Sequence, residues 1–416
     1  MYIKRDLEDK IKKYLKVREI LAIVGPRQSG KTTLLKEIFK TVKKESVYID
    51  FEDRDVLNLF NNDIKSFYSL YIKNRNYLFI DEFQYAKDGG QKLKYLYDTY
   101  KIKIIISGSS VLDLTHQALK YLVGRIFVFH LYPFSFDEYL RYKAPSIYDR
   151  IYFSLHKKIS NYLFKNGKNF PVITQPLIKE INTYYQEYAI FGGYPRVVIA
   201  DNREEKITVL KNIYNTYFLR EIRDILQLST EDELQKLIKA LSLQTGSLVA
   251  YNELGQISLL NYNNLIKHLN ILEKTFVIKR ILPFCKNRRV EIAKSPKIYF
   301  VDNGFRNVVM DNFSLLGDRV DRGSINENFI ASEMLKREVS LNYWRTKSNA
   351  EVDFIIEKEN KNIAIEVKST LMESKITKGL LSFKSKYQFD KILMVSENYS
   401  YFDKQKDIIF LPIFFI

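Results

Sequence analysis

Up to Glu138 the chain alternates short apolar runs with longer stretches of mixed polarity. The runs Glu19–Val24, Ser46–Phe51, Tyr77–Ile80 and Lys103–Ser107 are rich in Ile, Val and Tyr and lack a polar residue at every second position. That pattern predicts strands of a parallel sheet covered on both faces. The segments between them are long enough for crossover helices, so this region is expected to be α/β. From Tyr139 to about Leu226 strand signals are few, which predicts mostly helix, with one turn at Gly192-Gly193-Tyr194-Pro195. Ser229 to Ser295 shows short helical stretches, then the apolar run Phe276–Leu282, a basic turn (Lys286, Asn287, Arg288, Arg289) and Val290–Ala293. Helices followed by a basic hairpin fit a winged helix. From Lys297 onward the pattern is α+β, with strand-like runs at Lys297–Val301, Val352–Glu357, Ile363–Ser369 and Lys391–Val395. The apolar end, Ile408–Ile416, is expected as a buried strand. No internal repeat or low-complexity linker interrupts the chain.

Composition narrows the function classes. The 416 residues suggest two to four domains. Hydrophobic residues at 46% and charged residues at 28% are globular proportions. The single Cys285 excludes an internal disulfide and a cysteine zinc cluster. The four His (His116, His130, His156, His268) form no HExxH pair, which argues against a zinc peptidase. No apolar run reaches the roughly 18 residues that span a bilayer, and the charged N-terminus has no signal-peptide core. A cytoplasmic protein without a membrane partner is therefore expected. The 66 Lys+Arg against 49 Asp+Glu leave a net charge of +17. That excess points to an anionic partner, nucleic acid being the commonest.

The chemistry starts at Gly25-Pro26-Arg27-Gln28-Ser29-Gly30-Lys31-Thr32, a GxxxxGK[ST] loop between an apolar strand and a helix. Its glycines let successive N–H groups turn toward phosphate oxygens, and the helix start adds partial positive charge. Lys31 reaches the β- and γ-phosphates, and the Thr32 hydroxyl can ligate Mg²⁺. Thr33 completes the nucleotide-binding stretch. About fifty residues on, the strand Tyr77–Ile80 ends in Asp81 and Glu82. Asp81 is expected in the Mg²⁺ shell, and Glu82 is expected to orient or deprotonate the attacking water. The next strand ends in Ser107-Gly108-Ser109-Ser110, where Ser109 is the candidate to sense the γ-phosphate. Arg125 is a candidate arginine finger on a neighbouring subunit's nucleotide, which implies a homo-oligomer. Arg196 is a candidate sensor in the helical region.

A second constellation lies near the C-terminus. Val352-Asp353 and Ile363-Ala364-Ile365-Glu366-Val367-Lys368 flank the polar turn Lys358–Asn362. If the turn is Glu359-Asn360, Asp353 and Glu366 stand opposite each other, and Glu366 shares a face with Lys368. Two acids and a lysine against an apolar sheet suit a divalent metal, with the lysine activating water or steadying phosphate charge. Glu327, in the helix-like Ser324–Lys336, completes the expected metal shell of Glu327, Asp353 and Glu366. This is the D-x(n)-E-x-K pattern of nuclease folds.

With these residues in hand, the chain resembles a widespread archaeal and bacterial family that joins an AAA+ type ATPase domain to a C-terminal restriction-endonuclease-like (PD-(D/E)xK) domain. The matching pieces are Gly25–Thr32, Phe79–Phe83, Ser107–Ser110, Leu122–Arg125, Pro133–Tyr139, Gly192–Pro195, Pro296–Phe305 and Val352–Lys368. The resemblance implies a P-loop core over 1–140, a helical lid over 141–226, a winged helix over 227–295 and an α+β nuclease-like domain over 296–416. It implies ATP and Mg²⁺ bound at Lys31, Thr32, Asp81 and Glu82, and catalysis or metal binding at Glu327, Asp353, Glu366 and Lys368. Two functions follow as expectations: an ATPase that binds DNA through Lys286, Arg288 and Arg289 of the wing and Asn263, Asn264 and Lys267 of the helix before it, with a metal-dependent nuclease end; or a nucleotide-switched ATPase whose nuclease-like end cuts nothing and docks a protein partner.

Overall fold

Five short strands build the first sheet: β1 (Ile20–Val24), β2 (Ser46–Asp50), β3 (Tyr77–Asp81), β4 (Lys103–Gly108) and β5 (Ile126–His130). In the computed structural model, which describes residues 2–109, 120–165, 167, 169–226, 228, 231–285, 295–358 and 361–416, all neighbouring pairs of this sheet run parallel in the order β2-β3-β4-β1-β5. The central strands β1 and β4 are buried along their whole length, while the edge strands β2 and β5 are half-buried. The unbroken apolar runs of β1 and β4 thus report position in the sheet. On one face Leu34, Leu35 and Ile38 of helix α1 (Lys31–Thr41) pack against Leu21, Ile23, Phe79 and Ile105. Leu21 and Ile23 point the same way because strand side chains alternate. The first four strands agree with the expected runs; β5 (Ile-Phe-Val-Phe-His) was not foreseen.

The chain divides into two compact units, Met1–Phe134 with Lys274–Phe276, and Ser135–Glu273 with Val277–Ile416. This differs from the expected four-part division in three places. The expected core boundary at 140 lies a few residues past the break between the two units after Phe134. Helix α2 (Phe136–Lys143) starts there with a capping box, Ser135 Oγ accepting from Glu138 N at 3.2 Å and Glu138 returning a bond to Ser135 N. Phe136 then packs among Tyr139, Tyr185, Tyr188 and Phe329, aromatic residues of the second unit. The region expected as a lid is helical, but its long helix α3 (Gln175–Phe191) is built into the second unit, where Asn307 Nδ2 donates to the Ala189 and Ile190 carbonyls.

The third difference lies at the expected boundary of 295/296. The second unit holds an eight-stranded sheet of β6 (Ile278–Pro283), β7 (Lys297–Phe300), β8 (Asn342–Arg345), β9 (Glu351–Lys358), β10 (Lys361–Val367), β11 (Lys391–Ser396), β12 (Tyr401–Asp403) and β13 (Ile408–Pro412). Its order is β12-β13-β11-β10-β9-β8-β6-β7. β6 and β7 pair antiparallel across that boundary, and β6 also pairs with β8, so one ladder joins what were expected as separate domains. Three helices, α4 (Asp232–Leu243), α5 (Tyr251–Ser258) and α6 (Tyr262–Lys274), precede β6, and Leu248 bridges to Lys297. The basic turn with Lys286, Arg288 and Arg289 lies outside the described residues. Of the C-terminal run expected as one strand, Ile408–Pro412 forms β13, Ile413–Phe415 turns into a short 3-10 helix, and Ile408 and Phe410 join a core with Trp344, Val352, Ile355, Phe383 and Met394.

The turn Gly192–Pro195 and the stretch Pro296–Phe305 meet in this unit. Asp302 caps helix α7 (Asn303–Val309), accepting from Phe305 N at 3.0 Å, and takes Gly193 N at 2.7 Å. A side chain at Gly304 would put Cβ 2.0 Å from the Phe191 carbonyl oxygen, so only glycine lets the two backbones approach this closely. The Gly-Gly-Tyr-Pro turn is therefore a packing joint. Arg196 beside it is exposed and pairs with Glu205.

Candidate functional site

Three strand ends meet at the carboxyl edge of the first sheet, where parallel sheets bind ligands. β1 leads directly into the loop Gly25–Gly30. A Cβ on Gly25 would lie 2.0 Å from the Leu131 carbonyl oxygen, so the chain can leave β1 beside β5 only as glycine. Gly30 caps α1 with φ 94°, a left-handed conformation that favours glycine. Leu34 N donates to Gly30 O at 2.9 Å, starting the helix, and no acid stands in its first turn. Buried Lys31 directs Nζ back over the loop, onto Gly25 O at 3.0 Å and Pro26 O at 2.8 Å. Ser29 is wholly buried, and its hydroxyl has no hydrogen-bond partner among the described residues. Backbone donors, an acid-free helix start and an unsatisfied hydroxyl fit the phosphate tail of a nucleotide.

β3 delivers Asp81, 1% exposed, and Glu82. The parallel registers Val24↔Gly108 and Ile80↔Ile106 set β4 between β1 and β3. The loop and Asp81 are thus two strand spacings apart, roughly 10 Å, flanking Ser107–Ser109. Asp81 accepts from the Tyr48 hydroxyl at 2.7 Å and from the Ser107 hydroxyl. Burial and Asp81 push the Tyr48 phenol above its ordinary pKa, which keeps it a donor. Glu82 adopts φ 52° and accepts from the Gln84 amide, whose oxygen takes Ser109 N at 3.3 Å. Gln84 therefore ties the candidate water-activating acid to the candidate sensor, and Ser109 itself is buried.

The sequence reading missed three residues of this site, Tyr48, Gln84 and Arg5, and named Ser107 only as part of the turn Ser107–Ser110. Arg5 is 4% exposed; its guanidinium donates to Ser29 O at 2.7 Å and Tyr132 O at 2.6 Å and lies 4.6 Å from the centre of the Phe134 ring. It braces the phosphate loop from the N-terminus. Gln84, only two residues past the Asp81-Glu82 pair, was the most findable; nothing local marks Tyr48 or Arg5.

Arg125 is not brought to the loop of its own chain. Ile20 N donates to Arg125 O at 2.8 Å, so Arg125 lies at the amino end of β1 and β5, opposite the phosphate loop. Its side chain pairs with Asp98 at 3.0 Å.

The second candidate site lies within the second unit. β9 and β10 pair with Ile365 opposite Phe354, a register whose next step sets Glu366 across from Asp353. Asp353 Oδ2 accepts Val367 N at 2.8 Å, and Lys368 Nζ donates to Glu366 Oε1 at 2.8 Å. Glu327 comes in from helix α8 (Arg322–Lys336) and accepts from the Tyr299 hydroxyl at 3.1 Å. Burial, then the charge of Asp353, push Glu327 up to about 8 and Glu366 up to about 7. Burial also raises Asp353. Glu366 is 5% exposed and its Oε2 has no partner among the described residues. Among the described residues no three His, Cys, Asp or Glu side chains stand as a ready-made metal cluster. An orphaned, buried carboxylate oxygen amid other acids nevertheless fits a cation. Lys297 and Glu351 were missed. Lys297, 1% exposed, contacts Glu351 and stands 3.9 Å from Glu327 Oε2. Burial pulls its pKa down, but Glu327, Asp353 and Glu351 outweigh that and hold it above the ordinary value.

The first site lies within a stretch that matches a known family. Residues 17–140 match the family model described as an AAA domain. Residues 182–315 and 322–415 match models described as domains of unknown function, DUF8612 and DUF4143. An uncharacterised protein of Methanocaldococcus jannaschii is 27% identical over 87% of this chain and 76% of its own length. One of Haemophilus influenzae is 24% identical over 91% of this chain and 90% of its own. Among solved structures, the ADP form of the Aeropyrum pernix ORC2 protein aligns over 76% of this chain and 95% of that chain, at 10% identity and a TM-score of 0.34. The front of the chain, residues 17–140, is thus similar to AAA domains. No helix of the described residues is long and apolar enough to cross a membrane.

Proposed function

We propose that the chain hydrolyses ATP at the edge of the first sheet and uses the cycle to act on DNA. The observation that carries the ATPase reading is the convergence of the Gly25–Gly30 loop, Ser107–Ser109 and Asp81-Glu82 on three adjacent strand ends. Lys31 and the loop N–H groups hold the β- and γ-phosphates, with Pro26, Arg27, Gln28 and Thr33 completing the cradle. Thr32 and Asp81 hold Mg²⁺, which supplies charge neutralisation on the phosphates. Glu82, held by Gln84, aligns the attacking water and accepts its proton. Ser109 reports the γ-phosphate to the same Gln84. Arg125, at the far edge, serves only a neighbouring copy's nucleotide. Lys31→Ala is expected to abolish phosphate release; turnover at the wild-type rate in that variant would refute the assignment.

DNA binding is supported by the +17 charge and by the order helix, bridge, two helices, strand and strand from α4 to β7 among the described residues, an order compatible with a winged helix. Its phosphate contacts predict binding that weakens steeply with salt. For the C-terminal site, Glu327, Asp353 and Glu366 hold a divalent ion and Lys368 steadies phosphate charge, as in a nuclease. Plasmid incubated with Mg²⁺ or Mn²⁺ and ATP tests this: nicking that disappears in Asp353→Ala supports cleavage. A second reading, a nucleotide-switched ATPase that docks a protein partner and cuts nothing, is favoured by Lys297, which already lies among the acids. Intact plasmid under every metal condition selects that reading.

A further inference from the structure

Lys297 and Tyr299 stand two residues apart on β7, so their side chains leave the strand on the same face. Both reach the C-terminal carboxylates. The Tyr299 hydroxyl donates to Glu327, while the Lys297 ammonium touches Glu351 and lies 3.9 Å from Glu327 Oε2. Its side chain is 2% exposed, and an ammonium this deep is costly unless carboxylates surround it. Glu327, Glu351, Asp353 and Glu366 are matched by Lys297, Lys368 and, at the exposed rim, Arg345, 3.4 Å from Glu351. Four carboxyl groups thus stand against three cations, and among the described residues Glu366 Oε2 has no partner.

We infer that Lys297 is a tethered cation that neutralises this site before a divalent ion arrives and so sets how tightly the ion is held. The inference rests on the metal-binding reading given above. Lys297 is a positioning residue: it holds Glu327 and Glu351 and touches no substrate. Its fixed charge repels an incoming ion across a few ångströms of buried space, where screening is weak. Removing that charge strengthens ion binding, the reverse of what the loss of a ligand would do.

The test is calorimetric titration of the full-length protein with Mn²⁺ alone, for wild type, Lys297→Met, Lys297→Arg and Asp353→Asn. The expected result is binding at least tenfold tighter in Lys297→Met, wild-type affinity in Lys297→Arg, and loss in Asp353→Asn. In EDTA Lys297→Met should melt below wild type, and Mn²⁺ should recover the difference. Lys297→Gln, which keeps a donor, is read the same way should the methionine variant not fold. Equal or weaker Mn²⁺ binding without the lysine overturns the inference and leaves the metal site standing. No Mn²⁺ binding in any variant overturns both.

Discussion

Arg5→Met tests whether the phosphate loop depends on the brace reaching it from the N-terminus. The substitution keeps the aliphatic volume and removes two charge-assisted hydrogen bonds, to Ser29 O and Tyr132 O. Bonds of this kind are worth about 1.5–3 kcal/mol each, and a guanidinium over an aromatic ring about 0.5–2 kcal/mol more. Against this stands the desolvation of an arginine that is 4% exposed, so a net loss of about 3 kcal/mol is expected. At about 3–4 °C per kcal/mol for a unit of this size, the first unit should melt about 10 °C lower. Nucleotide binding should suffer separately. Ser29 lies inside the loop, and if its release leaves a tenth of molecules with the loop in binding conformation, the ADP dissociation constant rises about tenfold. Thermal unfolding followed by circular dichroism, and calorimetric titration with Mg²⁺-ADP, measure the two effects. Arg5→Lys, able to make one of the two bonds, should fall between. A melting temperature within 2 °C of wild type together with an unchanged dissociation constant would show that the brace is incidental.

Two further outcomes follow from the geometry. Gly304→Ala should strip the second unit of stability, because its Cβ meets the Phe191 carbonyl at 2.0 Å and neither partner is a movable side chain; Gly323→Ala, with nothing within 4 Å, is the control that should melt like wild type. The pH dependence of metal-free stability should run opposite to that of salt-bridged acids. Glu327 and Glu366 titrate near 8 and 7 when folded against an ordinary 4.5, so the folded chain holds protons that the unfolded chain has released. Their contribution is therefore present below about pH 4.5 and is lost as pH rises through about 7 to 8. Urea denaturation in EDTA between pH 5.5 and 8.5 should show that fall, and the double variant Glu327→Gln, Glu366→Gln should flatten it. A wild-type profile that rises over the same range contradicts the burial argument.

What could be seen in the sequence was local. β1 to β4 announce themselves as apolar runs closed by Gly or Asp, and the Asp353–Glu366 pairing follows from a two-residue turn once both strands are recognised. β5 escaped because its Phe127 and Phe129 alternate with other apolar residues beside a Gly-Arg pair, with no polar rhythm to mark an edge strand. Arg5 looks like one charge among many in a charged N-terminus; its role exists only because Ser29 and Tyr132, 24 and 127 residues away, present carbonyls to it. Phe136 lies inside the stretch 1–140 expected as the first domain, yet it packs on Tyr185, Tyr188 and Phe329. Across the expected boundary of 295/296, β6 and β7 pair, a contact between distant stretches that no local pattern reports.

The two candidate sites carry opposite charge character, and that asymmetry separates the ligands proposed for them. At the phosphate loop, Lys31 turns onto carbonyls, the helix start carries no acid, and the Ser29 hydroxyl has no partner among the described residues, so the loop suits an anion. At the β9–β10 hairpin, burial pushes Glu327 and Glu366 up, and Glu366 Oε2 has no partner among the described residues, so the hairpin suits a cation. Neither inference needs the other. A substitution that removes charge should therefore act with opposite sign at the two places. Losing Lys31 weakens ligand binding at the loop, while losing Lys297 strengthens it at the hairpin, although both are buried lysines within reach of oxygen atoms. The difference lies in their neighbours: the cation at the loop attracts its ligand, and the cation at the hairpin competes with it. Measuring both variants in one preparation, with Mg²⁺-ADP and with Mn²⁺, separates the two electrostatic roles; a shared sign would mean that burial, and not local charge balance, governs both.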